Sequence, residues 1–173
     1  TYTDQGATAL DNFDGDITSS IVEVSTVETS IVGSYTVTYN VTDANGNAAI
    51  EVTRTVTVVD TTVPLITLTG NATVTIEVGS TYTDQGATAT DNLDGDITSS
   101  IVEVSTVETS IVGTYTVTYN VSDSNGNPAA QVTRTVSVVD TTVPVITLTG
   151  NATVTIEVGS TYTDQGATAT DNL

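Results

Sequence analysis

Tandem repetition is the feature that most restricts what this chain can fold into. Residues 81–160 repeat residues 1–80 with ten substitutions and no insertion or deletion, and residues 161–173 begin a third copy. A period of 80 residues is too long for one unit of a helical solenoid and is typical of one small β domain. Because near-identical copies add length without adding new chemistry, the repeat favours a stalk, tether or filament over an enzyme.

Alternation of apolar and polar residues predicts β-strands throughout each copy. It is clearest in residues 115–121, 73–78 and 132–138, and Gly and Asn mark the turns between strands. The shorter predicted strands are residues 145–148, 82–89, 97–104 and 107–112. About seven short strands in each repeat is typical of a sandwich. The sequence therefore predicts an all-β chain of tandem immunoglobulin-like β-sandwiches.

The predicted domain boundaries do not coincide with repeats counted from residue 1. Val63-Pro64 predicts the entry into a first edge strand, where Pro is tolerated. Residues 61–140 then form a complete repeat, residues 1–60 lack their first strands, and residues 141–173 supply the first strands of a third repeat. Two explanations stay open. The chain is an excerpt of a longer array, or the tail of one subunit completes the head of the next by strand complementation.

Composition excludes several classes of function. The chain contains 21 acidic residues against two arginines, a formal net charge of −19, and no Cys or His. Without these residues there is no disulfide framework, no thiolate nucleophile and no zinc site of the usual kinds. Nucleic acid is excluded as a partner because almost nothing could neutralise its phosphates. No apolar run is long enough to span a membrane, so we expect no membrane insertion in this segment.

An ordered set of motifs resembles a known family. The motifs are Gly79-Ser-Thr-Tyr-Thr-Asp-Gln-Gly-Ala, Asp91-Asn-Leu-Asp-Gly-Asp-Ile, Gly113-Thr-Tyr-Thr-Val-Thr-Tyr and Asp123-Ser-Asn-Gly-Asn. Together they resemble the bacterial Ig-like repeats related to hyalin-repeat domains, which occur in large surface and secreted proteins. The resemblance covers the whole chain. It implies an Ig-like sandwich used as a spacer in adhesion or extracellular architecture, and an extracellular or cell-surface location.

Acidic loops carry the candidate chemistry. Clustered carboxylate and amide oxygens suit Ca²⁺, which accepts six to eight oxygen ligands, so Ca²⁺ is the expected cofactor. The candidate metal ligands of the second copy are Asp91, Asn92, Asp94, Asp96, Asp123, Asn125 and Asn127. Their counterparts in the first copy are Asp11, Asn12, Asp14, Asp16, Asp43, Asn45 and Asn47. The linker residues Asp60 and Asp140, and Asp171 of the third copy, complete the set.

Immunoglobulin topology predicts that these loops converge. The B–C and F–G loops of such a sandwich lie at the end where the first strand enters, and the linker acid Asp60 arrives at that end. Carboxylates held close together cannot all stay ionised without a cation, so Ca²⁺ at the junction would also fix the angle between neighbouring domains. The alternative is that Asp, Asn and Gly here are ordinary turn formers.

The remaining polar and aromatic residues are interpreted as structural. Tyr115 and Tyr119 share one apolar strand face and are predicted to pack in the core, and one of them is a candidate for a tyrosine corner. Arg134 is predicted to lie at an end of the sandwich, paired with an acid. Four acids are predicted to be solvated surface charges: Asp84, Glu103, Glu108 and Glu157.

The leading hypothesis is a non-catalytic extracellular array, a Ca²⁺-stiffened stalk or filament for surface display, adhesion or linkage of cells to one another or to matrix. Its expected partners are neighbouring repeats of the same or of identical chains, with a surface glycan or protein bound through other domains. The alternative is a carbohydrate- or protein-binding Ig-like module of an adhesin. An enzyme is the weakest interpretation, because the paired acids Asp94 and Asp96 lie on a turn with no pocket that would raise a pKa.

Overall fold

Strands form nearly all of the regular structure of the chain. The structure, a computed structural model, describes residues 1–172. Leu173, the last residue of the predicted third segment, lies outside the described residues. Two 3₁₀ turns, Thr18–Ser20 and Thr98–Ser100, are the only helical elements of the described part. The predicted all-β class is therefore confirmed, and the chain divides into two compact units, Thr1–Thr61 and the residues from Thr62 onward.

The first unit contains five strands in two sheets. Three of them form an antiparallel sheet in the order β3-β4-β5, and the short strands β1 and β2 form a hairpin. Alternation along β4 buries Val37 and Tyr39 on one face. The strands are β1 (Leu10–Asp11), β2 (Gly15–Asp16), β3 (Val22–Ser25), β4 (Gly33–Asn40) and β5 (Val52–Val58).

The second unit begins with a complete seven-strand repeat. One sheet has the order β10-β11-β12-β7, in which β7 runs parallel to β12, and the other has the order β6-β8-β9. The strands are β6 (Leu65–Leu68), β7 (Thr73–Glu77), β8 (Ala87–Asp91), β9 (Gly95–Asp96), β10 (Val102–Ser105), β11 (Gly113–Asn120) and β12 (Val132–Val139). Seven short strands in two sheets is the arrangement predicted from the alternation.

The core of this repeat lies between its two sheets. Val117 and Tyr119 of β11 and Val136 of β12 meet Ile66 and Ala89 of the facing sheet, and all five are buried. Each comes from the apolar side of an alternating strand, so the period of two decides which residues are covered. Tyr119 therefore packs in the core as predicted.

Two predicted strand segments are wrong in part, and a third is wrong over its whole length. Residues 82–86 are not a strand, because the Asp84 carboxylate accepts the Gly86 N–H at 2.7 Å and turns the chain there. The 3₁₀ turn Thr98–Ser100 replaces the first half of the strand predicted at residues 97–104. Residues 107–112 form a turn rather than a strand, and the Tyr115 hydroxyl donates to the Ile111 carbonyl there at 2.9 Å. That bond resembles a tyrosine corner.

The rest of the second unit forms an incomplete set of strands. β13 (Val145–Leu148) pairs antiparallel with β14 (Ala167–Thr170). The pairing copies that of β6 with β8, but residues 153–157, which repeat β7, form no strand. Ile146 is 73% exposed whereas its counterpart Ile66 is 6% exposed. The apolar face that β6 and β7 bury is thus uncovered in this copy.

Candidate metal centre in the acidic loops

A tight hairpin between β8 and β9 carries the first acidic loop of the second unit. Asp91 pairs with Gly95, whose φ of 71° closes a loop of three residues. One Asp91 oxygen, Oδ2, accepts the backbone N–H groups of Leu93 at 2.8 Å and Asp94 at 3.2 Å. The other, Oδ1, is buried and has no hydrogen-bond partner among the described residues. A buried oxygen of this kind requires a specific explanation, and an absent ion is one.

The turn between β11 and β12 carries the second acidic loop. The Asp123 carboxylate accepts the backbone N–H groups of Asn125 at 2.9 Å and Asn127 at 2.7 Å, and the Asn127 side-chain amide at 2.7 Å. These bonds are those of an ordinary Asx turn. Asp123 is nonetheless only 7% exposed. Burial opposes its ionisation, but these hydrogen bonds outweigh burial and lower the pKa of the Asp123 carboxyl.

The two loops of the second unit meet. Asp94 accepts the Ser124 N–H at 2.6 Å and the Ser124 hydroxyl at 2.7 Å. An oxygen of Asp91 and one of Asp123 lie within 4.8 Å of each other. No cationic side chain of the described residues bonds to either of them. The hydrogen bonds through Asp94 therefore hold two carboxylates at a distance where they repel each other.

The first unit repeats this geometry independently. Oxygens of Asp11, Asp14 and Asp43 all lie within 4.8 Å of one another. Asp14 reaches across to the Ala44 N–H at 2.9 Å, so Ala44 replaces Ser124 with the loss of one hydroxyl bond. Donation of backbone N–H groups, first from Asp14 and then from Phe13, lowers the pKa of Asp11. All three carboxylates are half-exposed, so an ion from solvent can reach them.

The other predicted ligands divide into two groups. Asp16 and Asp96 are not members of the acidic clusters, and they accept the N–H groups of Thr18 and Thr98, the first residues of the 3₁₀ turns, each at 2.9 Å. The second group consists of the remaining predicted ligands, which lie on the loops or linkers: Asn12, Asn92, Asn45, Asn47, Asn125, Asn127, Asp60, Asp140 and Asp171. Whether the linker acids share an ion with the loops stays a prediction.

Sequence reasoning missed a buried ionic network in the second unit. Arg134 is 1% exposed and its Nη1 donates to Asp84 Oδ2 at 2.5 Å. Tyr119 also donates its hydroxyl to Asp84, as does Tyr82 at 2.5 Å. Arg134 lies 5.9 Å from the centre of the Tyr119 ring. The prediction that Arg134 pairs with an acid is confirmed.

The prediction that Asp84 is a solvated surface charge was wrong. Its side chain is 11% exposed. Burial opposes its ionisation, but the hydrogen bonds from Tyr119, Tyr82 and Arg134 outweigh that effect and lower the pKa of Asp84 to about 2. The signal in the sequence was Arg134 itself, which occupies an apolar position of a strand in a chain with only two basic residues. A cation at such a position requires a buried anion.

A second residue that sequence reasoning missed is Glu77, at the end of β7. Its carboxylate accepts the N–H and the hydroxyl of Thr141, both at 2.8 Å, and the N–H and hydroxyl of Thr142 at 3.1 and 2.9 Å. These bonds, led by the Thr141 N–H, lower the pKa of Glu77 to about 2. The linker that leaves β12 is therefore tied to β7 by one carboxylate.

Two known proteins are similar in sequence to most of the chain. Hyalin of the sea urchin Strongylocentrotus purpuratus is 38% identical over 136 residues, 75% of this chain and 11% of hyalin. The pesticidal crystal protein Cry22Aa of Bacillus thuringiensis is 40% identical over 136 residues, 75% of this chain and 18% of that protein. The chain thus spans less than a fifth of the length of either relative.

The chain is also similar to a solved structure and to a family of bacterial surface domains. A lipoprotein of Bacteroides thetaiotaomicron is 28% identical with a TM-score of 0.41, covering 46% of this chain and 39% of its own. Within residues 1–172 no helix has the length and apolar character needed to cross a bilayer. The family described as "Bacterial surface protein, Ig-like domain" matches residues 1–58 and 66–138, which confirms the resemblance carried by the motifs. The chain belongs to this family of bacterial surface Ig-like domains.

Proposed function

We propose that the chain is a non-catalytic extracellular structural segment, a Ca²⁺-stiffened stalk or filament that serves surface display, adhesion or linkage of cells. Membership of a bacterial surface family supports the extracellular position. One observation carries the metal: in both units, acidic loops about 30 residues apart in sequence meet within 4.8 Å, and one of the oxygens, Asp91 Oδ1, is buried without a partner. A hard divalent cation is the partner that this donor set fits.

Two of the residues that would hold Ca²⁺ occupy equivalent positions in the two repeats, Asp11 with Asp91 and Asp43 with Asp123. In the first unit the proposed ligands are Asp11, Asp14 and Asp43, and in the second Asp91 and Asp123, with Asp94 fixing the second loop. Bound Ca²⁺ would supply positive charge that removes the repulsion between these carboxylates. We further propose that Asp60 and Asp140 contribute ligands at the repeat junctions, so that the same ion limits bending between repeats.

Thermal unfolding tests the ion directly. Extracellular modules bind Ca²⁺ with dissociation constants of about 10⁻⁴–10⁻³ M. A tenfold excess of Ca²⁺ over such a constant stabilises the folded state by roughly 1.4 kcal/mol per site, so we expect the melting temperature to rise by several degrees relative to chelator. Equal melting temperatures at matched ionic strength would show that no specific site exists.

Matched variants separate a site from general charge attraction. Asp11→Asn and Asp91→Asn together should abolish most of the Ca²⁺-dependent rise in melting temperature and the heat of Ca²⁺ binding in calorimetry. Glu103→Gln and Glu108→Gln together remove the same charge from exposed positions and should leave both unchanged. Equal losses in the two double variants would mean that Ca²⁺ interacts only with the net charge.

A single exposed aromatic residue supports the alternative function, a carbohydrate- or protein-binding module. Phe13 is 83% exposed at the tip of the first acidic loop, and an exposed aromatic ring can stack on a sugar or anchor a protein. Its counterpart in the second repeat is Leu93, so the feature is not repeated as a multivalent binder would require. A glycan array with Phe13→Leu as the control distinguishes the two functions.

A further inference from the structure

The complete repeat has an open edge strand with exposed apolar side chains. β10 is an outer strand of the sheet β10-β11-β12-β7, and no strand among residues 1–172 pairs with its far side. Val102 is 60% exposed and Val104 is 53% exposed. An edge of this kind carries unpaired backbone groups that can bond to another strand. β10 is therefore a surface that the proposed stalk leaves unused.

The register of β10 shows which of its backbone groups point outward. The Thr106 N–H donates to a carbonyl of β11 at 3.0 Å. Because hydrogen-bonded pairs alternate along an antiparallel ladder, Val104 and Val102 also bond to β11. The N–H and C=O groups of Glu103 and Ser105 then point away from β11. Two residues of β10 thus offer both of their backbone groups to a further strand.

The side chains of β10 divide between two chemically different faces. Glu103 pairs with Tyr119, which packs in the core, so Glu103 is on the inner side of the sheet. Val102 and Val104 are on the outer side, and Val104 pairs with Thr118 there. A strand added to this edge would alternate its own side chains in the same way. Its residues would therefore meet valines on one face and an acid on the other.

Charge decides which kind of strand fits this edge. Glu103 and Glu108, on and just after β10, are exposed acids. Arg134, the only basic residue from Thr62 onward, is 1% exposed. A second copy of the chain would bring another net charge of −19 to the edge, and like charges opposed across neighbouring strands are destabilising. Charge complementarity therefore favours a basic strand over a second copy.

The first unit presents the same edge. Residues 14–33 are identical to residues 94–113, and β3 pairs with β4 in the register of β10 with β11. Val22 and Val24 of β3 are 60% and 53% exposed, the same values as their counterparts in β10. Glu23 takes the place of Glu103. Each repeat thus offers one edge of identical chemistry.

We propose that the open edges of β3 and β10 bind an extended basic segment of another protein, which adds to the sheet as a strand. The residues opposite Val102 and Val104 are apolar, and the residue opposite Glu103 is Lys or Arg. Backbone bonds to Glu103 and Ser105 supply affinity, and the alternation of apolar and basic side chains supplies specificity. The number of partners bound increases with the number of repeats, and binding does not require Ca²⁺.

Fluorescence anisotropy with a labelled peptide tests the binding. The probe is a short peptide in which Val alternates with Lys, and the control peptide contains the same residues as a block of Val followed by a block of Lys. The full chain should bind the alternating peptide at least about tenfold more tightly, because only alternation places every Lys on the inner side. Equal affinities, or no binding of the alternating peptide, would overturn the proposal.

Charge reversal tests the role of the edge acids. Glu23→Lys with Glu103→Lys should weaken binding of the Val–Lys peptide by roughly fivefold or more and should create binding of a Val–Glu peptide. Glu51→Lys with Glu157→Lys makes the same change in net charge at exposed positions outside β3 and β10, and it should leave the preference for Val–Lys in place. Equal effects of the two double variants would show that only the net charge attracts the peptide.

Hydrogen–deuterium exchange locates the peptide on the chain. The alternating peptide should slow exchange at the Glu103 and Ser105 N–H groups, which point outward, and leave the Val104 N–H, already bonded to β11, unchanged. Protection elsewhere without protection at these two groups would contradict binding at the edge.

Proline substitution separates the edge from the rest of the sheet. Ser25→Pro with Ser105→Pro removes one outward N–H from each edge and keeps the ladders with β4 and β11, since Pro is tolerated on edge strands. Peptide binding should fall at least about tenfold while the melting temperature shows that the chain still folds. Self-association of the unchanged chain in sedimentation velocity, lost in this variant, would instead identify a second copy as the occupant and overturn the proposal.

Discussion

At the scale of single residues, the one arginine of each repeat forms an ion pair within its own unit. In the second unit Arg134 donates hydrogen bonds to Asp84 and to the Tyr119 hydroxyl. It also donates to three backbone carbonyls, those of Thr69, Asn71 and Gly86. A buried guanidinium is tolerated only when its donors are satisfied in this way. The network ties β12 to the chain on either side of β7, so it joins the two sheets.

Removal of the Asp84 charge should therefore be costly. Asp84→Asn leaves Arg134 buried without its counter-ion, and breaking a buried pair on one side destabilises by about 3 kcal/mol or more. Chemical denaturation of the full chain should show this loss in the transition of the second unit. The matched variant Asp4→Asn should have a smaller effect, because Arg54 is 36% exposed and water can replace the lost carboxylate.

The ion pair of Asp84 with Arg134 also makes the stability of the second unit depend on pH. The pKa of Asp84 falls from 3.8 to about 2 on folding, so the unfolded state takes up a proton first as the pH is lowered. The stabilisation is complete above about pH 4 and is lost as the pH falls toward 2. Acid titration followed by tyrosine fluorescence should show this loss, and Asp84→Asn should flatten the curve in that window. An unchanged curve would mean that other carboxylates control the acid transition.

Sequence reasoning succeeded at this scale only where a residue's own pattern was informative. Tyr119 lies on the apolar side of a strand, so its burial was predictable. Asp84 and its partner Arg134 are 50 positions apart, and in an acidic chain nothing in the sequence shows which carboxylate lies beside the arginine. The pair becomes visible only when the strands are assembled.

At the scale of elements, the end of β7 controls the start of the linker. Glu77 binds two consecutive threonines after β12 through four hydrogen bonds of 2.8–3.1 Å. Since β7 and β12 are parallel neighbours, the linker leaves the sheet from a position fixed by both strands. A linker held by charge-assisted bonds restricts the direction in which the chain continues.

Glu77→Ala should release this segment without unfolding the sandwich. We expect hydrogen–deuterium exchange at the Thr141 N–H to accelerate by roughly tenfold, the loss of one charge-assisted bond, while exchange in β11 stays slow. Glu103→Ala removes an acid from the exposed edge strand β10 and should change neither. No acceleration at Thr141 in Glu77→Ala would show that the linker is held by its own backbone.

Strand prediction failed where short-range polar bonds override the alternation. Residues 107–112 contain Val, Ile and Val at suitable spacing, yet the chain turns there. The Ser110 hydroxyl donates to Glu108 at 2.8 Å, and the Tyr115 hydroxyl holds the Ile111 carbonyl. Such side-chain bonds compete with strand pairing. The long strands β11 and β12 were predictable because seven or more alternating residues outweigh any one such bond.

At the scale of the whole molecule, the proposed ion makes a mechanical prediction. If Asp60 and Asp140 share Ca²⁺ with the acidic loops, chelation should loosen the junctions while each sandwich stays folded. Small-angle scattering should then show a larger maximum dimension with Ca²⁺ than with chelator, and Asp60→Ala with Asp140→Ala should behave like the chelated chain. Scattering curves that coincide in all of these conditions would mean that the linkers themselves set the stiffness.

The burial of Arg134 also determines how such chains behave side by side. It is the only basic residue from Thr62 onward, so every charged side chain that the described part of the second unit presents to solvent is an acid. Neighbouring molecules therefore repel each other through this unit, with a range set by the ionic strength. Dense layers of these chains should therefore swell in dilute salt and contract in concentrated salt.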